Sequence, residues 1–171
     1  LSSPCPVWLR KDLISTLIVI EEHLPYPTDD LPSFKAEKSW IKNDFGRFNE
    51  VAVEVRRART GAAILTEFAS LVELRNAAWQ KEARQPEEET FFAPVGTLPI
   101  ALLLWRRVFD SWAHNQDLRM PLGISGDLDG KAAALVYRQV AKLLPMTFAK
   151  TCAASIGQSI AVTITGPGAF T

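Results

Sequence analysis

The stretch VWLRKDLISTLIVIEEHL, residues 7–24, decides the class of this chain. Leu9, Leu13, Leu17, Ile20 and Leu24 recur at intervals of three and four, which is the period of one helix face and not the alternation of a strand. Its apolar heart, LISTLIVI, is eight residues long. That is far short of the roughly 18 to 20 residues that span a bilayer, so it reads as a buried helix segment. LPIALLLW, residues 98–105, reads the same way.

Outward from this helix, SSPCP on its N-terminal side is a loop signal, which makes residues 1–6 an extended N-terminal segment. PYPTDDLPS on the other side carries three prolines and stops the helix, and Ser33 is the expected N-cap of the next one. Residues 34–84 are helical in composition, with an interruption at RTGAA. Two antiparallel helices broken near Gly61 are expected, the first weakened at Gly46 by about 1 kcal/mol relative to alanine. In the second, Ile64, Phe68, Leu71, Val72 and Trp79 share a face, with Arg75 beside them.

RQPEEET reads as a solvated acidic connection, and FFAPVGTLP as a second loop with Thr97 as N-cap. A strongly apolar helix follows from about Leu98 to His114, carrying Ile100, Leu103, Leu104, Val108 and Trp112 on its stripe, and it is expected to be the central helix. NQDLRMPLGISGDLDG is a long connection, with Asp129 as the expected N-cap of a helix over 130–144. That helix places Ala134, Tyr137, Ala141 and Leu144 on one side and should kink or end at Pro145. A short helix with Phe148, Cys152 and Ile156 in register comes next. Over SIAVTITGPG the pattern turns to period two, so residues 157–171 form a strand-like tail. The expected architecture is all-α: a single domain over 1–171, a bundle of five or six helices between an extended N-terminal segment and that tail.

Composition narrows the function classes. With 19 basic and 19 acidic residues the chain is neutral overall, so no global field draws it to nucleic acid or anionic membrane. The proportions are those of a soluble protein. The chain starts at Leu1 with no methionine, which leaves a removed signal peptide and the compartment open. Two cysteines without a CxxC spacing and two histidines do not make a zinc motif, and no metal or cofactor is expected. A Cys5–Cys152 bridge and two separate thiols both fit the sequence.

The chemically loaded segment is RRVFDSWAHN, residues 106–115. On a helix, Arg107, Asp110 and His114 fall at i, i+3 and i+7 and share a face. Asp110 can orient the imidazole of His114, while Arg107 supplies a fixed positive charge, a kit suited to cleaving a phosphodiester. The spacing resembles the Rx4-6H pattern of HEPN-type ribonucleases. That resemblance implies an all-α bundle and a metal-independent ribonuclease with Arg107 and His114 in its active site. A second feature is the cluster Arg56, Arg57 and Arg59, which could contact a few phosphates of RNA despite the interleaved Glu50 and Glu54.

GISGDLDGKA looks superficially like a phosphate-binding loop. Gly126 and Gly130 enclose three residues where four are needed, and Ala132 stands where a hydroxyl would hold magnesium. With no convincing nucleophile, metal cluster or cofactor loop in the sequence, the leading expectation is a non-catalytic helical module that binds a macromolecular partner, such as a protein, or its own copies. The ribonuclease and a self-assembling, nucleic-acid-packaging subunit are the alternatives.

Overall fold

The computed structural model describes residues 7–22, 38–82, 84–92, 96–153 and 155–167. The N-terminal segment 1–6 with Cys5, Leu24, the expected cap Ser33 and the last four residues of the tail lie outside the described residues. The described residues are all-α apart from one small hairpin. Its elements are α1 (Arg10–Glu22), α2 (Asp44–Arg56), α3 (Gly61–Glu82), β1 (Glu89–Phe92), β2 (Gly96–Pro99), α4 (Ile100–Arg119) and α5 (Lys131–Thr151). Among the described residues no helix is long and apolar enough to cross a membrane. The chain divides into two compact units, Leu1–Leu104 and Trp105–Thr171, with the boundary inside α4.

In the first unit α1 packs against both α2 and α3. It is consequently buried nearly all round: Leu13, Leu17, Ile18, Val19 and Ile20 are inside, and so are Asp12, Ser15, Thr16 and Glu21. A helix covered on two sides needs apolar residues beyond a single stripe, and the LISTLIVI run supplies them. Leu13, Leu17 and Ile20 of the expected stripe face inward, while Leu9, ahead of the helix, is exposed. The central helix of this unit is thus α1 and not the apolar helix near residue 100. Val19, Ile20, Phe48, Ala52, Leu98 and Leu103 form one cluster, with Trp79 against it.

The break between α2 and α3 falls where expected. Asn43 caps α2, its side chain accepting from the Gly46 amide at 2.8 Å. At the other end Lys11 donates to the carbonyls of Arg57 at 2.7 Å and Arg59 at 2.9 Å, placing a cation where helix carbonyls lack partners. On α3 the expected face is the inward one, with Ile64 fully buried and Phe68, Leu71, Val72, Arg75 and Trp79 half-buried.

The segments read as two loops are instead an antiparallel hairpin. Thr90 opposes Leu98, and Phe91 opposes Thr97. Four residues a side are too short to show a period, yet Thr90, Phe91 and Phe92 are strand formers, and Gly96 takes φ +98° at the turn. Thr97 is therefore a strand residue and not a helix cap.

In the second unit α4 continues to Arg119, five residues past the expected end. Met120–Leu122 add a 3-10 turn that closes on Gly123 at φ +63°. The following loop is tied to α4 by side chains. Trp112 donates from Nε1 to the Asp127 carbonyl at 2.7 Å, and Trp112 meets Tyr137 edge-on at 5.6 Å. Gly130, not Asp129, occupies the cap position of α5. Pro145 lies inside α5 and neither ends it nor divides it in two. Ala133 and Val136 are the buried residues of α5; Tyr137, Ala141 and Leu144 of the expected stripe are half-buried, and Ala134 is exposed. Beyond α5 the described residues form no further strand, only a bridge position at Ile164, with Val162 and Ile164 half-covered between exposed Ala161, Thr163 and Thr165. Cys152 is a free, exposed thiol.

Candidate functional site

The acid–base candidates converge on α4. Arg107 donates from Nη1 to Oδ2 of Asp110 at 2.8 Å, the i, i+3 pairing that the helix dictates. Oδ1 of Asp110 lies 3.6 Å from Nε2 of His114. The closer partner of His114 is a residue that the sequence reading overlooked: Asp117, whose Oδ2 is 3.2 Å from Nδ1. Its signal was the same spacing, three residues on from His114, but Asp117 had been assigned to the connection after the helix. The imidazole is thus flanked by two carboxylates, one at each ring nitrogen. Arg107 is buried, whereas the side chains of Asp110, His114 and Asp117 keep between 23% and 34% of their exposure, so solutes reach them.

Asp117 at Nδ1 and Asp110 at Nε2 give each ring nitrogen a carboxylate that can receive its proton. A proton taken up at Nε2 then faces Asp110, whose own charge Arg107 fixes in place.

The arginine cluster is arranged differently. Arg56 is buried and donates from Nη2 to both oxygens of Glu22, at 2.9 and 3.0 Å, and to Oε1 of Glu67 at 2.7 Å. Arg59 pairs with the other oxygen of Glu67. Arg57 pairs with Glu54 at 2.7 Å and Glu50 at 3.0 Å, with Asp12 at 3.9 Å. All three guanidiniums are therefore committed to carboxylates, and they point to two separate acidic clusters rather than one basic face. Burial opposes the charge on Arg56, but Glu67 and Glu22 outweigh it and raise its pKa.

Glu50 is the hub of the second cluster and was legible only as a diluting charge. It is fully buried. Trp8 and Trp40 both donate indole N–H groups to its Oε2, at 2.9 and 3.0 Å, while Lys38 and Arg57 reach Oε1 at 2.8 and 3.0 Å. Burial alone would lift its pKa; Lys38, Trp40 and Trp8 together hold it below the ordinary carboxylate value. Lys38 also bonds Glu54, and the two carboxylates raise the lysine against the opposing effect of its desolvation. Trp8 and Trp40 are therefore polar partners of one acid as well as apolar bulk.

Among the described residues no group of three or more His, Cys, Asp or Glu is placed to hold a metal ion. With the geometry in hand, comparison with known families is informative. Residues 1–119 match the model of the mycothiol maleylpyruvate isomerase N-terminal domain. The chain belongs to that family. Comparison with curated proteins and with solved structures gives no match.

Membership in the mycothiol maleylpyruvate isomerase N-terminal domain family overturns the expectation of a non-catalytic interaction module. The family is named for an enzyme, and the match spans all of α1 to α4. The ribonuclease and packaging alternatives fall with it. Arg107 and His114 lie within the matched span, so the two-residue resemblance to HEPN ribonucleases gives way to a match over most of the chain. What misled the reading is physical. The helical period reports burial, and a bundle of this kind hosts an interaction surface or an active site equally well.

Proposed function

We propose that the chain is the helical domain of a thiol-dependent isomerase, and that His114 is its acid–base residue. The observation that carries the reading is the family match over residues 1–119, which includes the α4 array. The donor set fits a thiol partner. A thiol with pKa near 8.5 needs a base of the imidazole class to become reactive at neutral pH. When bound, mycothiol would supply the sulfur that adds to, and later leaves, the cis double bond of a maleyl substrate.

The residues of the chain have distinct tasks in this scheme. Asp117 keeps the proton on Nδ1 of His114, so that Nε2 accepts a proton and returns it when the double bond re-forms. Asp110 stabilises the transient imidazolium, and Arg107 holds Asp110 in place.

The test is a spectrophotometric assay of maleylpyruvate isomerisation with mycothiol present. The parent chain is expected to exceed the rate of the free thiol, and His114→Gln to lower that excess by about 10²- to 10⁴-fold, the usual contribution of a positioned acid–base group. Asp117→Asn should change the pH profile as well as the rate, because it alters the tautomer. A parent no faster than mycothiol alone, or a His114→Gln chain as fast as the parent, would refute the proposal.

A further inference from the structure

The chain is neutral overall, but its charges are not evenly spread. All 19 acidic residues lie at or before Asp129, and residues 130–171 carry Lys131, Arg138, Lys142 and Lys150 with no Asp or Glu among them. These four cations sit on α5, and each is exposed. Among the described residues the ion pairs of the second unit are those of Arg107 and His114 on α4, and none reaches α5. Arg56, Arg57 and Arg59 of the first unit, by contrast, are committed to glutamates.

The spacing puts the cations on one face. Lys131, Leu135, Arg138, Lys142, Met146 and Lys150 follow one another at intervals of three and four, so cations and apolar side chains are interleaved down a single stripe. Leu135 keeps 41% of its exposure and Met146 51%. The buried residues of the helix, Ala133 and Val136, lie on its other side, so the stripe is the face that the fold leaves uncovered. At 1.5 Å per residue it runs for roughly 28 Å.

Cations without an acid between them repel one another, and apolar side chains beside them stay in water. A surface that is anionic outside and apolar beneath relieves both. Headgroups would meet the four charges while Leu135 and Met146 reach the acyl boundary, with the long stems of lysine and arginine spanning the two levels. Nucleic acid answers the charge alone. A lipid surface also accepts a long, uninterrupted helix face without a matching shape. We propose that the outer face of α5 is a docking surface for an anionic lipid bilayer, on which the helix lies without crossing it. The inference is independent of the isomerase reading, because α5 lies beyond the matched residues 1–119.

The experiment is co-sedimentation of the full chain with vesicles of phosphatidylcholine, with and without about one-third phosphatidylserine. Binding is expected only to the charged vesicles and should weaken as salt is raised. Each cation near such a surface contributes about a fivefold factor, so an Arg138→Gln, Lys142→Gln double variant should bind about ten- to thirtyfold more weakly. Met146→Gln leaves the charge intact and should weaken binding by about three- to tenfold through lost insertion. Lys142→Arg keeps the charge and should bind as the parent does, which separates lost charge from lost folding. Poly-glutamate in place of vesicles tests for an acidic protein: binding as tight as to the charged vesicles, and unaffected in Met146→Gln, would assign the face to such a partner instead. No sedimentation of the parent with charged vesicles, equal sedimentation with neutral ones, or unchanged affinity in the double variant or in Met146→Gln would each overturn the proposal.

Discussion

At the scale of single residues, Glu50 is where the most is at stake. Its carboxylate has four donors, two of them cationic, in a place that water does not reach. Glutamine has the same shape but no charge, so Glu50→Gln would leave Lys38 and Arg57 short of their buried counter-ion. Breaking one side of a fully buried pair costs about 3 to 5 kcal/mol; Lys38 and Arg57 keep Glu54 as a partner and part of their exposure, so urea denaturation should register a loss of about 1 to 3 kcal/mol. A loss under about 1 kcal/mol, the range of exposed pairs, would mean that the hub is solvated. The same carboxylates set the acid response. Glu50, Glu54 and Glu67 titrate below the ordinary value of 4.5 when folded. A depressed folded pKa gives stability that is complete above the unfolded value and is lost as pH falls through the folded one. The urea midpoint should therefore stay level down to about pH 5 and drop steeply below 4.5; a midpoint unchanged to pH 3 would contradict this. Lys38, whose pKa is raised, works in the opposite direction, holding its contribution at neutral pH and losing it only in strong base.

Whole helices obey rules that single residues can break locally, and α5 is the example. Pro145 has no N–H to give to the carbonyl of Ala141, yet the helix runs through it to Thr151. Thr147 donates its hydroxyl to the Leu143 carbonyl at 3.0 Å, a back-bond to a different carbonyl from the one that proline leaves without its N–H. Proline in a helix interior is about 3 kcal/mol less favourable than alanine, so Pro145→Ala should strengthen this helix by up to that amount. Slower amide exchange over residues 141–149 would show it, and exchange as fast as in the parent would argue that the ring is accommodated without cost. The same helix shows what a sequence can and cannot convey. The periodicity of LISTLIVI and the break at Gly61 announced α1, α2 and α3 because burial leaves a period of 3.6 in the residues. Pro145 was read as a kink or an end because the rule for proline is local, whereas continuation depends on neighbours. The hairpin escaped notice for want of length, and Asp117 because a helix end was placed five residues early. Arg107, Asp110 and His114 were legible as one face from spacing alone; the Glu50 hub was not, since it depends on where folding brings Trp8, Lys38 and Arg57.

At the scale of the molecule, burial is distributed unevenly between the two units. Of the described apolar residues that are buried, only Ala133 and Val136 belong to the second unit; the others lie in or before the first turn of α4. The first unit adds the carboxylate hub to its apolar cluster, while Leu135, Leu143 and Met146 of α5 remain exposed. Free energies of local opening follow buried apolar contact, so the second unit should open at lower cost than the first. Native-state hydrogen exchange resolves the two. Amides of α5 are expected to exchange first and those of α1 last, near the free energy of global unfolding. Within α4, protection should fall from Leu103 toward Arg119, because the helix begins in the apolar cluster and ends beyond it. Equal protection in α1 and α5 would mean that the chain unfolds as one cooperative body. The outcome also bears on function, since the family match ends at residue 119 and includes the α4 array while leaving α5 outside. If α5 opens without loss of the proposed isomerase activity, the role proposed for His114 needs only the matched span. If activity falls as α5 opens, the loop tied down by Trp112 is part of what keeps the array in register.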